Sequence, residues 1–217
     1  MSATTSIVVI DDHPLFRKGA ADLIGMDASL RLVGEACDGA EGLKVVARER
    51  PDLVLLDLNM KGMDGMATLR AIQESDPGCR VIMLTVSDNE QDVVEALRAG
   101  ADGYLLKDME PEDILAQLHE AAQGHLVVSP SVAELIARAM RADAPPLGRD
   151  AAQLTAREMQ ILELLTGGLT NKLIARRLGI TAATVKVHVK HLLKKLHLRS
   201  RVEAAVWAIK HGVVKNA

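Results

Sequence analysis

Aromatic side chains are nearly absent from this sequence. Its 217 residues include one Trp, one Tyr and one Phe, which removes the stacked rings that single-stranded nucleic-acid binders use as platforms. Only two cysteines are present, Cys37 and Cys79, too few for a disulfide scaffold or a cysteine-ligated zinc finger. They read as small buried apolar residues in a reducing compartment. No apolar run approaches the roughly 18 residues of a membrane span. Met1 to Ile10 lacks a basic start and meets Asp11-Asp12 after a short apolar stretch, unlike a secretory leader. A cytoplasmic chain without membrane association is expected. Hydrophobic residues make up 48% and charged residues 25%, so wholesale disorder is excluded and a real core is available.

The formal net charge of −3 conceals a division. Residues 1–126 carry 11 Lys and Arg against 23 Asp and Glu; residues 127–217 carry 15 against 6. An acidic half suits a cation or a basic protein surface, and a basic half suits a polyanion such as duplex DNA. Between them lies Arg141 to Asp150, RADAPPLGRD, where Pro145-Pro146 stops helix and Gly148 follows. The domains are therefore expected at 1–126 and 151–217, with 127–150 as a linker. Ser129-Pro130 opens a helical stripe of Val132, Leu135, Ile136 and Ala139 within that linker.

In the first half, short apolar runs alternate with helical patterns. The runs are Ile7–Ile10, Leu30–Val33, Leu53–Leu56, Val81–Leu84 and Tyr104–Leu106; the helical stretches are Pro14–Met26, Ala40–Arg48, Met66–Ile72 and Asp92–Ala99. Alternating βα units predict an α/β fold with a five-strand parallel sheet covered on both faces. Ligands of such sheets sit beyond the carboxyl ends of the strands. There the sequence places Asp11 and Asp12 after strand one, Asp57 after strand three, Thr85 at strand four and Lys107 after strand five. A lone Asp at a strand end is more often a turn residue. Suitable residue types at four strand ends together point to chemistry. Three close carboxylates repel unless a hard cation such as Mg²⁺ joins them, and a carboxylate can act as a phosphoryl nucleophile. Asp57 is the candidate nucleophile, Lys107 a phosphoryl counter-charge and Thr85 a hydroxyl donor.

The second half is helical and basic. Thr155 to Glu158 is a capping box before ILELL. Thr170 or Asn171 caps NKLIARRL, Gly179 stops it and Thr181 restarts the chain. This is a helix-turn-helix pattern within an all-α, four-helix domain. On the long helix from Ala182 to Leu196, Val185, Val189, Leu192 and Leu196 make an inward stripe, opposite Lys186, Lys190 and Lys194 with Val187 beside them. Lys186, Val187 and Lys190 are placed to meet base edges in a major groove, whereas Lys172, Arg176, Arg177 and Lys195 suit phosphates. The seven histidines show no zinc spacing; His188 and His191 would add contacts to DNA. The stripe Val202, Ala205, Val206 and Ile209 is either a dimer contact or core, and Trp207 reads as packing.

The motifs VVIDDHPLFRKG, LVLLDLNMKGMDG, LTVSDNEQD and GADGYLLKD resemble the receiver domain of two-component response regulators. LTAREMQIL, GLTNKLIARRLGI, TAATVKVHVKHLLKKL and SRVEAAVWA resemble the LuxR-type output domain of the NarL/FixJ family. Together the two resemblances cover nearly the whole chain. They imply a flavodoxin-like doubly wound receiver and a transcription regulator rather than an enzyme. By resemblance, Asp57 is the residue phosphorylated by a sensor histidine kinase. Asp11, Asp12, Asp57 and the backbone carbonyl of Asn59 would hold Mg²⁺, and Thr85 and Tyr104 would form a switch pair. Asn59 and Ser87 match the positions that tune loss of the phosphoryl group. A homodimer on promoter DNA is implied. The stretches GADGYLLKDMEPEDIL and NKLIARRLGITAATVKVHVKHLLKKL resemble the nitrate/nitrite-responsive members, implying a kinase of the nitrate/nitrite sensor type. A member answering a different signal is the alternative. Two departures stand out: the family usually has Pro where Lys61 stands, and often Pro where Asp108 follows Lys107. Lys61 is placed to alter kinase docking or the lifetime of the phosphoryl group, whereas Lys followed by Asp is familiar within the NarL branch. An aspartyl-phosphate phosphatase would want a second Asp two residues after Asp57, where Asn59 stands. A constitutive DNA binder with an inert receiver is the third reading.

Overall fold

Apolar runs buried on both sides make the middle of a parallel sheet. The computed structural model describes residues 4–75, 78–87, 89–123, 127–129, 132, 154–169, 171–196, 198, 201–211 and 213. Its strands are β1 (Thr5–Ile10), β2 (Leu30–Ala36), β3 (Leu53–Leu56), β4 (Arg80–Thr85), β5 (Gly103–Leu106) and β6 (Val127–Val128), in the order β2-β1-β3-β4-β5-β6. Every residue of β3 and β4 is buried. Six strands stand where the sequence pattern shows five. The two-residue β6 is too short to carry a periodic signal and exists through pairing of Val127 with Gly103 and Val128 with Tyr104.

Among the described residues, helices cover the sheet: α1 (Pro14–Gly25), α2 (Gly39–Glu49), α3 (Gly65–Ser75), α4 (Glu90–Arg98) and α5 (Pro111–Gln123). Asp38 caps α2 by accepting from the Glu41 N–H, and Asn89 caps α4 by accepting from that of Gln91. Alternation along the strands sends side chains to opposite faces. Val8, Ile10, Val54 and Leu56 pack with Val46, Leu69, Ile72, Val93 and Leu97 from α2, α3 and α4. Ile7, Val9, Leu53 and Leu55 pack with Ala20, Ile24, Ile114 and Leu118 from α1 and α5. Each fully buried aliphatic side chain contributes about 1.5–3 kcal/mol. From β1 the chain passes to β2 on one side and then crosses back to β3 on the other side of β1, so the crevice opens beyond the carboxyl ends of β1 and β3.

The second domain contains α6 (Ala156–Thr166), α7 (Asn171–Leu178), α8 (Ala182–Lys195) and α9 (Arg201–Lys210). Its capping box is complete: Thr155 N–H donates to Glu158 Oε2 at 2.8 Å, and Glu158 N–H donates to Thr155 Oγ1 at 3.3 Å. Gly179 adopts φ +65°, which turns the chain out of α7 without a side-chain clash. Thr181 then caps α8 by accepting from the Thr184 N–H. Ile161, Leu162, Ile174, Val185, Leu192, Leu196, Ala204 and Ala208 form the core. The Val185–Leu196 stripe faces inward as the spacing requires, with Val189 half-buried.

The stretch Arg141 to Asp150 and the residues Leu135, Ile136 and Ala139 lie outside the described residues, as does Thr170; Val132 is buried against the first core. The cysteines depart from expectation. Cys37 is exposed and Cys79 half-buried, because Cys37 sits where the chain leaves β2. Its N–H and Sγ both donate to Glu41 Oε2, and this carboxylate pushes the Cys37 thiol up.

Gly65 lets α3 begin against the loop that follows β3. Its N–H donates to the Leu58 carbonyl at 2.9 Å; a Cβ there would collide with the Asp57 carbonyl and approach Leu58 Cα to 2.6 Å. Gly65→Ala is expected to destabilise the receiver by about 2–3 kcal/mol. Urea unfolding followed by circular dichroism measures this, and an unchanged midpoint would show that the loop yields freely.

Candidate functional site

The carboxyl ends of β1, β3 and β5 deliver Asp11, Asp57 and Lys107 to one point. Asp11 and Asp57 are each 2% exposed. The Lys107 ammonium lies 2.6 Å from Asp11 Oδ2 and 2.9 Å from Asp57 Oδ2, with the Phe16 ring 4.5 Å beneath it. Burial pushes the Asp57 carboxyl above its ordinary range, and Lys107 opposes this only in part. Among the described residues, neither buried Asp57 oxygen makes a hydrogen bond of good geometry.

Asp12, half-buried, accepts from the Lys61 N–H through Oδ2 at 3.2 Å, leaving Oδ1 toward Asp11 and Asp57. Asn59 is exposed on the loop after Asp57. Oxygens of Asp11, Asp12 and Asp57 come within 4.8 Å of one another. Hard oxygen donors, buried on Asp11 and Asp57 and half-buried on Asp12, fit a divalent cation of Mg²⁺ type. Such an ion would neutralise phosphoryl oxygens when bound.

Thr85 is fully buried, and its Oγ1 accepts from the Ser87 N–H at 3.2 Å. Tyr104 is also fully buried, its hydroxyl donating to the Ser87 carbonyl at 2.9 Å. Both sequence-designated switch residues therefore converge on Ser87. Beside the pocket runs an apolar cavity of about 570 Å³ between α1 and α5, lined by Phe16, Leu23, Met109 and Ile114. Leu15 and Val86 stand on its rim, 86% and 73% exposed.

One residue was passed over in the sequence. His13 directs Nδ1 to 2.9 Å from Asp12 Oδ1, 3.4 Å from Asp11 Oδ1 and 3.9 Å from Asp57 Oδ2. Zinc-like spacing among histidines did not reveal it, since its neighbours are acids. Its place directly after Asp11-Asp12 was the available signal.

The second domain presents Arg176, Arg177, Lys186, Lys190 and Lys194 to the surface, with Val187 52% exposed. The side chain of Lys172 lies outside the described residues. The Lys195 ammonium binds Glu158 Oε2 at 2.7 Å, fastening the end of α8 to the start of α6. His188 is half-buried and His191 exposed. Trp207 packs against the core and stacks on His211 at 4.3 Å between ring centroids. Among the described residues, contacts join the domains. Arg201 Nε approaches Asp102 Oδ1 at 3.3 Å, Arg98 Nε lies 4.0 Å from Glu203 Oε1, and Lys186 Nζ meets the Gln73 carbonyl at 3.5 Å.

Residues 7–119 match the response regulator receiver domain, and residues 152–208 match the bacterial regulatory proteins of the luxR family. The chain is a LuxR-type response regulator. It is 53% identical over 202 residues to the nitrate/nitrite response regulator protein NarL of Escherichia coli K12, covering 93% of this chain and 94% of that one. It is 41% identical to the nitrate/nitrite response regulator protein homolog of Haemophilus influenzae, covering 95% and 97%. Among solved structures, the response regulator ChrA of a heme-sensing two-component system matches over 98% of this chain and 100% of that chain, at 32% identity and a TM-score of 0.52. The fold expectation is thereby met: a doubly wound receiver joined to a helix-turn-helix domain in a two-component, DNA-binding transcription regulator. Among the described residues no helix is long and apolar enough to cross a membrane.

Burial alone would raise Glu158, but Lys195 and the Thr155 N–H and hydroxyl hold it at about 2, below its ordinary 4.5. A depressed carboxylate contributes stability above its unfolded value, and the contribution is lost as pH falls through the folded one. The second domain should therefore lose stability between about pH 4.5 and 2. Thermal melts across that range should show Glu158→Gln less stable at pH 7 but flatter toward acid; parallel curves would contradict the assignment.

Proposed function

We propose that Asp57 accepts a phosphoryl group from a sensor histidine kinase, and that this changes how α8 meets duplex DNA. The observation that carries the reading is the buried Asp57 carboxylate, whose Oδ2 lies 2.9 Å from the Lys107 ammonium. An Asp57 oxygen attacks phosphorus, the P–N bond to the donor imidazole breaks, and the leaving nitrogen takes a proton. Lys107 pairs with a phosphoryl oxygen and the Thr85 hydroxyl donates to another. Asp11, Asp12, Asp57 and the Asn59 carbonyl are the proposed Mg²⁺ ligands. Exposed Leu15 and Val86 beside the cavity support docking of an apolar donor surface. Tyr104 is proposed to move with Thr85, since both engage Ser87. The chain itself is proposed to turn over no substrate.

Several features support a closed resting arrangement. Lys186, a proposed base reader, is turned to the receiver at Gln73. Asp102 and Lys107 flank β5, so the phosphoacceptor site and the Arg201 contact share one strand. Phosphorylation would release α8 and permit homodimers on paired half-sites of promoter DNA in the cytoplasm. The resemblance to nitrate/nitrite regulators supports a nitrate/nitrite-sensing kinase as donor. Domain bounds of 1–126 and 151–217 are proposed with it.

Treatment with acetyl phosphate should raise affinity for promoter DNA at least about tenfold, a coupling within the usual range for such switches. Asp57→Asn should show no rise, and equal titration curves for wild type and Asp57→Asn under the donor would reject the switch. For the DNA contacts, Arg176→Ala should weaken binding to all sequences and reduce the salt slope by about one. Lys190→Ala should cost about 1–3 kcal/mol at the operator only. Fluorescence anisotropy at several salt concentrations checks both; unchanged slope and specificity would move the interface elsewhere.

A further inference from the structure

His13 occupies the N-cap position of α1, where Ser, Thr, Asp or Asn would ordinarily accept a helix N–H. Its side chain makes no capping bond. The imidazole is turned instead to the three carboxylates, and the His13 N–H donates to Asp11 Oδ1 at 2.8 Å. The residue thus orients one acid through its backbone and faces all three through its ring.

The separations fit a shared ion. Donors 2.0–2.2 Å from one cation lie roughly 3–4 Å apart when adjacent. His13 Nδ1 stands 2.9, 3.4 and 3.9 Å from Asp12 Oδ1, Asp11 Oδ1 and Asp57 Oδ2. Independently, the 2%-exposed Asp57 carboxylate leaves Oδ1 without a hydrogen bond in this same cluster. The far oxygen of Asp11 is held by Lys107, and that of Asp12 by the Lys61 N–H. Each of these two acids therefore has its other oxygen turned toward the ring.

We propose that His13 is a nitrogen donor to the divalent cation of this pocket, tilting its selectivity from Mg²⁺ toward borderline ions such as Ni²⁺ and Zn²⁺. An all-oxygen pocket suits hard ions, and an imidazole adds affinity chiefly for later first-row metals. The inference rests on the acid pocket binding a divalent cation, as proposed above.

The test uses the full chain. Calorimetric titrations with Ni²⁺ and Mg²⁺ are made on wild type, His13→Ala and Asp12→Asn, the last identifying the binding event that belongs to the pocket. His13→Ala should weaken Ni²⁺ at least about tenfold and leave Mg²⁺ within about twofold, as expected for loss of one nitrogen donor. Bound Mn²⁺ should show a ¹⁴N coupling in its electron spin echo that His13→Ala removes. Equal Ni²⁺ affinity in wild type and His13→Ala, or Mn²⁺ without nitrogen coupling, overturns the His13 assignment while the pocket stands. Absence of any Mg²⁺ or Ni²⁺ binding overturns both.

Discussion

Lys107 draws two buried acids to one ammonium, 2.6 Å from Asp11 and 2.9 Å from Asp57, at the rim of the sheet. A third carboxylate, Asp12, completes a cluster more negative than one lysine can neutralise. Bringing such charges out of water is costly, and the raised Asp57 carboxyl records that cost. The site therefore gains by acquiring a cation, or by exchanging one charge pattern for another. That excess of like charge at a rigid edge is what the other features serve: apolar layers hold the strand ends together, and the loop after β3 is pinned by Gly65.

The opposite end of β5 meets the second domain. Asp102 accepts from the Val81 N–H and also faces Arg80 and Arg201. It lies just before β5, and Lys107 lies just after it. The four residues of β5 between them pair in register with β4. Tyr104 adds a lateral link, its buried ring centred on the strand and its hydroxyl on Ser87. Opposite net charges on the two halves favour their approach.

Much of this was legible in linear order. Uninterrupted apolar runs such as LVLL can only be strands covered twice, and their ends name Asp11, Asp57, Thr85 and Lys107. Thr155 and Glu158 announce a cap three residues apart, and Gly179 announces a turn. Other features left no linear trace. β6 exists only as a partner for β5. Cys37 is exposed because the sheet ends beneath it. His13 counts as a stray histidine until three acids from two strand ends surround it. Lys195 looks like one more cation on a basic helix, yet Glu158, 37 residues earlier, claims it.

The sequence by itself determined the alternating sheet, the helix-turn-helix, the charge division and the chemical types at the strand tips. Each follows from local period, capping or composition. Tertiary structure alone decided which charges share a partner, which thiol meets water and which lysine turns inward. Those outcomes depend on distances between residues far apart in the chain, which only packing sets.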